Sequence, residues 1–150
     1  MKKMKNALFL CFVVGLVASQ AVGQETAFRK TKQVIQEGDK TKQRDVALIF
    51  QDDKILVSDR KGKQTYTEIA NSSVTDLTYE LSKHPRYKTA LFVNPLFLFS
   101  PGKKHWLTIE YQTEGKSDFV LFQLDKKEYQ RIVATAESKT GKDVKRVIED

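Results

Sequence analysis

FVLFQLDKKEYQRIVATAESKTG, residues 119–141, changes its periodicity halfway along. Val120, Phe122 and Leu124 alternate with Phe119 and Leu121, the period of two that marks a strand. Tyr129, Ile132, Val133 and Ala136 then recur at spacings that line them up on one side of a helix. Asp125, with Glu128 three residues on, has the pattern of a capping box, and Gly141 stands where such a helix would end. The spacing therefore predicts a helix over about 126–140. A helix of this length is marginal by itself, so its apolar stripe has to lie on a sheet.

The sheet is legible upstream. In HWLTIEYQTEGKS, residues 105–117, Leu107, Ile109 and Tyr111 alternate with Trp106, Thr108 and Glu110, and QTEGKS turns the chain into the strand just described. VALIF (46–50) and KILVS (54–58), joined by QDDK, read as a second hairpin, because Asp52 and Asp53 favour a turn over a continued strand. Gly62 marks another turn before QTYTEI, and NSSV a further one before TDLTYEL, where Leu77, Tyr79 and Leu81 should share one face. The expectation is an α+β, mostly β domain over 46–141, with about seven antiparallel strands and one C-terminal amphipathic helix. KDVKRVIED, residues 142–150, follows as a short tail or an added edge strand.

At the other end, Met-Lys-Lys-Met-Lys precedes ALFLCFVVGLVA, and SQAVG precedes the charged QETAFRK. A basic start, an apolar stretch and small residues form the pattern of a secretory signal peptide, placed at 1–23 with the cut after Gly23. The stretch is short for a membrane span of about 20 residues; a retained anchor is the alternative. Export to the periplasm or the extracellular space is expected. Cys11, the one cysteine, would leave with the signal, and disulfides, thiol catalysis and thiolate metal sites with it. The mature chain would be 127 residues, 150 less 23, enough for one core. Its formal charge would fall from +7 to +4, since Lys2, Lys3 and Lys5 are removed, which is not a nucleic-acid-binding composition. Residues 24–45 are mostly polar, with Phe28, Val34 and Ile35 isolated, and read as a flexible N-terminal arm.

The order of elements resembles a pleckstrin-homology-like (PH-like) barrel, in particular its bacterial PH and GRAM branch. The residues that carry the resemblance are ALIFQDDKILVSD, then TYTEIANSSV before a long strand, and finally FVLFQLDKKEYQRIVATAE. It spans Val46 to about Gly141 and rests on the pattern of elements. It implies two roughly orthogonal sheets forming a barrel, with the helix plugging one end. It does not carry over inositol-phosphate recognition, for which members of that family use basic residues around the first hairpin loop. QDDK, read as that loop here, is short and acidic. The fold alone sets no function.

Catalytic signals are missing: there is no G-x-S-x-G, P-loop or dinucleotide fingerprint, and no cofactor is implied. His84 and His105 are in no metal-ligand spacing, and both read as ordinary surface or rim residues. Asn71-Ser72-Ser73 matches a glycosylation acceptor, a triplet common by chance.

One constellation rises above this background. In TALFVNPLFLFSPGKKHW, residues 89–106, an apolar run is bracketed by Lys83, Arg86 and Lys88 on one side and by Lys103 and Lys104 on the other. Tyr87 and Trp106 stand at its edges. Cations and interfacial aromatics around an apolar run suit contact with an anionic membrane surface. A run lacking alternation also suits a strand covered on both faces. Asn94-Pro95 divides the two readings, with Leu96–Phe99 as core and Ala90–Val93 as the candidate for exposure. The expected function is an exported, monomeric, non-catalytic binding module whose rim meets an anionic lipid or protein partner. The alternatives are a carrier of a small apolar ligand in the barrel mouth and an enzyme with no recognisable site.

Overall fold

A computed structural model describes residues 23–85 and 101–150. Residues 1–22 of the expected signal segment 1–23, the rim residues Arg86, Tyr87 and Lys88, and both halves of the apolar run, Ala90–Val93 and Leu96–Phe99, lie outside the described residues.

Among the described residues eight strands form one sheet: β1 (Thr26–Glu37), β2 (Lys40–Phe50), β3 (Lys54–Ser58), β4 (Thr65–Ala70), β5 (Val74–Ser82), β6 (Lys104–Thr113), β7 (Lys116–Leu124) and β8 (Val144–Ile148). The spatial order is β4-β3-β2-β1-β7-β6-β5-β8. Helix α1, Tyr129–Thr140, follows β7.

β1 corrects the reading of residues 24–45 as a flexible arm. It pairs antiparallel with β2 along its length and with β7 through Lys32, Gln33 and Val34, so the domain begins near Thr26 and β1 joins its two halves. Composition misled because polar side chains pair across these strands. Arg44 Nη2 donates to Gln33 Oε1 at 2.8 Å, and Gln43 Nε2 donates to Gln123 Oε1 at 2.8 Å. The Arg44 guanidinium also lies 3.6 Å from the centre of the Tyr66 ring. Such cross-strand pairs add to the few apolar contacts, those of Phe28 and Val34, that β1 makes. QDDK is consequently the turn of the second hairpin. The first, between β1 and β2, turns at Gly38, whose φ of +58° suits a residue without a Cβ.

The β2–β3 and β6–β7 hairpins form as expected. Alternation sends Phe28, Leu48, Phe50, Ile55, Leu77, Tyr79, Leu107, Ile109 and Phe122 to one face, where they enclose Ile132, Val133 and Ala136 of α1. Leu81 packs against this cluster too, so Leu77, Tyr79 and Leu81 do share a face. A smaller cluster of Val34, Trp106 and Leu121, with Phe119 against it, occupies other positions. Val34 pairs with Leu121 across the sheet, and Trp106 lies opposite Gln123, two residues along β7 from Leu121.

α1 starts later than its sequence pattern suggests. Residues 125–128 form a turn in which the Asp125 carboxylate accepts the Lys127 N–H at 2.9 Å and the Asp125 carbonyl accepts from Tyr129 at 2.9 Å. Glu128 makes no side-chain cap bond, so the capping box does not close. Gly141 ends the helix in the left-handed region, φ +68°, as its position implies. Residues 144–148, within the stretch read as a tail, form β8, an edge strand parallel to β5. Asn71 is buried, and its side-chain amide donates to the carbonyls of Gln51 and Asp52 at 3.1 and 3.0 Å. That triplet therefore braces the β2–β3 turn.

Candidate functional site: a basic cleft at the open end of the β6–β7 hairpin

β6 begins and β7 ends side by side, His105 opposite Leu124, at the end of the hairpin remote from its Glu114-Gly115 turn. β1 crosses next to them, with Lys32 opposite Gln123. Because β1 alternates its side chains, Lys30 and Lys32 both reach the same side, and together with Lys103 and Lys104 they line a cleft of about 400 Å³. Lys126 completes the basic walls; Asp125 is the acidic lining residue, and Gln123, Leu124 and His105 form the remainder. Five lysines and one aspartate thus line one concave surface. Mutual repulsion and the focusing of field in a cleft both favour an incoming anion.

His105 occupies the wall nearest the helix. Its Nδ1 lies 2.7 Å from the Tyr79 hydroxyl on β5, and its ring stacks on Tyr129 at the start of α1, 3.8 Å between centroids and 14° from parallel. Tyr79 and Tyr129 are themselves stacked at 5.6 Å, and Arg146 of β8 lies 5.8 Å from the Tyr79 ring. Burial holds the His105 imidazole below its ordinary pKa, against the opposing pull of Asp125. Burial likewise raises Tyr79, with the neighbouring Tyr129 adding to the effect and Arg146 opposing it. His105 is thus one of three mutually packed rings, more constrained than the ordinary rim residue its sequence position suggests.

The residues singled out from sequence separate in the structure. Lys103 and Lys104 line the cleft. Trp106 does not belong to an exposed rim: it is 1% exposed, and its indole N–H donates to the Ser82 carbonyl at 3.3 Å. Alternation explains the change, since Trp106 points to the opposite side from His105 and that side is also covered. Lys83 lies just beyond β5, outside the cleft lining; its backbone N–H donates to the Glu149 carboxylate at 2.9 Å, while the Lys103 ammonium donates to the Glu149 carbonyl. Arg86, Tyr87 and Lys88 are outside the described residues. The cleft residues that the sequence left unremarked are Lys30, Lys32 and Lys126. The i, i+2 spacing of Lys30 and Lys32 was the available signal, hidden while that segment read as an arm. Among the described residues no group of three or more His, Cys, Asp and Glu is placed to hold a metal ion, and no helix is long and apolar enough to cross a membrane.

Neither a protein-family model nor a protein of curated function matches the sequence. Solved structures do. A chain of the Spt16D–Pob3N heterodimer superposes with a TM-score of 0.51 at 10% identity, over 84% of this chain and 55% of that one. The hSac2 domain of the human phosphoinositide phosphatase Sac2 gives 0.44 at 10% identity, over 84% of this chain and 78% of the other. The chain therefore spans little more than half of the first of these neighbours. Likeness at such identity is likeness of fold alone, and one open sheet with its C-terminal helix has a PH-like fold.

Proposed function

We propose that this PH-like domain is an exported, non-catalytic binding module, of the bacterial PH and GRAM-like branch, that takes an anionic ligand in the cleft between β1 and the open end of the β6–β7 hairpin. The observation that carries the reading is the convergence of Lys30 and Lys32 with Lys103, Lys104 and Lys126 around about 400 Å³ of concave space. That is within the usual range of ligand pockets, roughly 300–1,000 Å³. Export rests on the basic and apolar N-terminus, and the branch on the order of the elements. A carrier of apolar ligands draws no support from a cleft lined by five lysines.

Anionic lipid is one source of such a ligand. Co-sedimentation of the full chain with vesicles of phosphatidylglycerol in phosphatidylcholine, against phosphatidylcholine alone, reads the difference that the cleft makes. Selective binding should weaken as salt rises from 50 to 500 mM, values chosen to bracket the screening length of ~10 Å at 0.1 M. It should also fall in the Lys30→Gln/Lys32→Gln variant. Equal sedimentation with both vesicle types, together with no binding of any soluble anion, would overturn the reading.

A further inference from the structure

We propose that β8 is the docking edge for a second copy of this chain, the two copies pairing antiparallel through residues 145–149 so that one sheet runs through both. This replaces the monomer expected from the sequence, and it does not depend on the anion-binding reading. Among the described residues β8 ends the sheet, with β5 on one side and no strand on the other. It also carries the large apolar side chains that those residues leave exposed, Val147 at 46% and Ile148 at 64%. The other terminal strand, β4, exposes no large apolar side chain. An unpaired edge is a template for another strand, and natural sheets usually guard it with charge. Here the charge changes sign along the strand: Lys145 and Arg146 precede Val147 and Ile148, and Glu149 and Asp150 follow.

Backbone direction limits which pairings can form. The Glu149 N–H donates to the Leu81 carbonyl at 2.9 Å, so Glu149, and by alternation Val147 and Lys145, turn their backbone groups toward β5. Arg146 and Ile148 turn theirs outward, as does Val144, whose N–H is taken by the Glu137 carboxylate at 3.0 Å. A two-fold antiparallel partner must set outward residues opposite outward residues, which allows centres on Lys145, Arg146, Val147 or Ile148 and none between them. Centres on Lys145 or Arg146 place like charges directly opposite each other, a destabilising contact. A centre on Ile148 shortens the ladder and sets Val147 opposite a carboxylate. The centre on Val147 avoids both faults. Val147 then meets the partner's Val147 at a close, non-hydrogen-bonded position, with Cα atoms about 4.5 Å apart. Lys145 meets the partner's Glu149 on that same side of the sheet. On the core side, where the register aligns Arg146 with Tyr79 and Ile148 with Leu81, Arg146 and the partner's Ile148 exchange backbone hydrogen bonds. Lys145 already binds Asp76, Glu149 accepts the Lys83 N–H, and Arg146 lies over the Tyr79 ring. Each keeps that contact, because the register is chosen by the like charges it avoids and by the paired valines.

Residues 145–149 are far fewer than the roughly 20–30 a side of a stable interface, so the dissociation constant should be on the order of 100 μM. In sedimentation velocity of the full chain, the average mass should rise from monomer toward dimer between ~10 μM and ~1 mM. Ile148→Pro removes an N–H that points away from β5; it should weaken association by about tenfold or more and leave the urea midpoint nearly unchanged. Lys145→Glu and Glu149→Lys should each weaken association, since positions 145 and 149 of the two copies then carry like charges. An equimolar mixture of these two variants should restore it. A variant that had lost its fold would not be rescued by mixing. A chain that stays monomeric at ~1 mM would overturn the proposal and leave the edge to a strand of another protein. Association that Ile148→Pro does not change would overturn it by assigning the contact to another surface, and so would a mixture of the charge variants no stronger than either alone.

Discussion

The Tyr79 hydroxyl and Nδ1 of His105 lie 2.7 Å apart, joining β5 to β6 beneath the first turn of α1. The contact closes a stack of three rings at the edge of the core, and its energetics depend on pH. His105 is held below its ordinary pKa of 6.5 by burial, so the unfolded chain binds the proton more readily than the folded one. The contribution of His105 to stability is complete above pH 6.5 and is lost as pH falls below it. Urea midpoints at pH 7.5 and 5.0 should show a drop that His105→Gln makes smaller; an unchanged drop would place the acid sensitivity elsewhere.

Tyr111 supplies the alkaline counterpart. Burial, then the charge and hydrogen bond of Asp118 at 3.2 Å, push its phenol up to about 12. The unfolded phenol ionises near 10, so stability should decline from that pH upward until Tyr111 itself ionises. In a spectrophotometric titration Tyr79 and Tyr111 should both lag the exposed tyrosines, and Tyr111→Phe should remove the last step.

Phe28 tests the placement of β1. It is fully buried, packs edge-to-face on Phe50 with 6.0 Å between centroids, and has the Arg131 guanidinium 5.4 Å from its ring. Phe28→Ala should cost about 3–5 kcal/mol in denaturant unfolding. A loss within about 0.5 kcal/mol, the range of ordinary surface substitutions, would mean that the segment is not part of the core.

Trp106 is the only tryptophan and reports on its own surroundings. Its emission should be blue-shifted in the folded protein, move to longer wavelength on unfolding, and stay constant when anionic vesicles are added. Trp106→Ala should destabilise by about 3–5 kcal/mol through the cavity that it leaves.

Much of the architecture was legible in the residues, and the exceptions have physical causes. The hairpins at 46–58 and 105–124 and the helical stripe of Ile132, Val133 and Ala136 follow from side-chain period, because each has one clearly apolar face. β1 escaped because Gln33 accepts from Arg44, and Gln36 from Thr41, across the ladder, pairings invisible until the partner strand is known. β8 is nearly all exposed, its Val147 and Ile148 among the large apolar side chains in solvent, so it carries no alternation to read. Trp106 was misplaced for a different reason: both sides of β6 are covered, and period two says that neighbours diverge without saying which side meets water. The cleft was half visible. Lys103 and Lys104 stood in a conspicuous cluster, but Lys30, Lys32 and Lys126 come from distant parts of the chain and meet only through the β1–β7 pairing.

That pairing also sets an order of events. Gln43 and Gln123, whose side chains bond across the junction, are 80 residues apart, and β1 cannot pair with β7 until Lys116–Leu124 has been synthesised. Closing so long a loop comes late and slows folding. The strand that joins the two halves therefore has no second neighbour during most of synthesis, and a chain emerging from the ribosome stays open and threadable until nearly all of it exists.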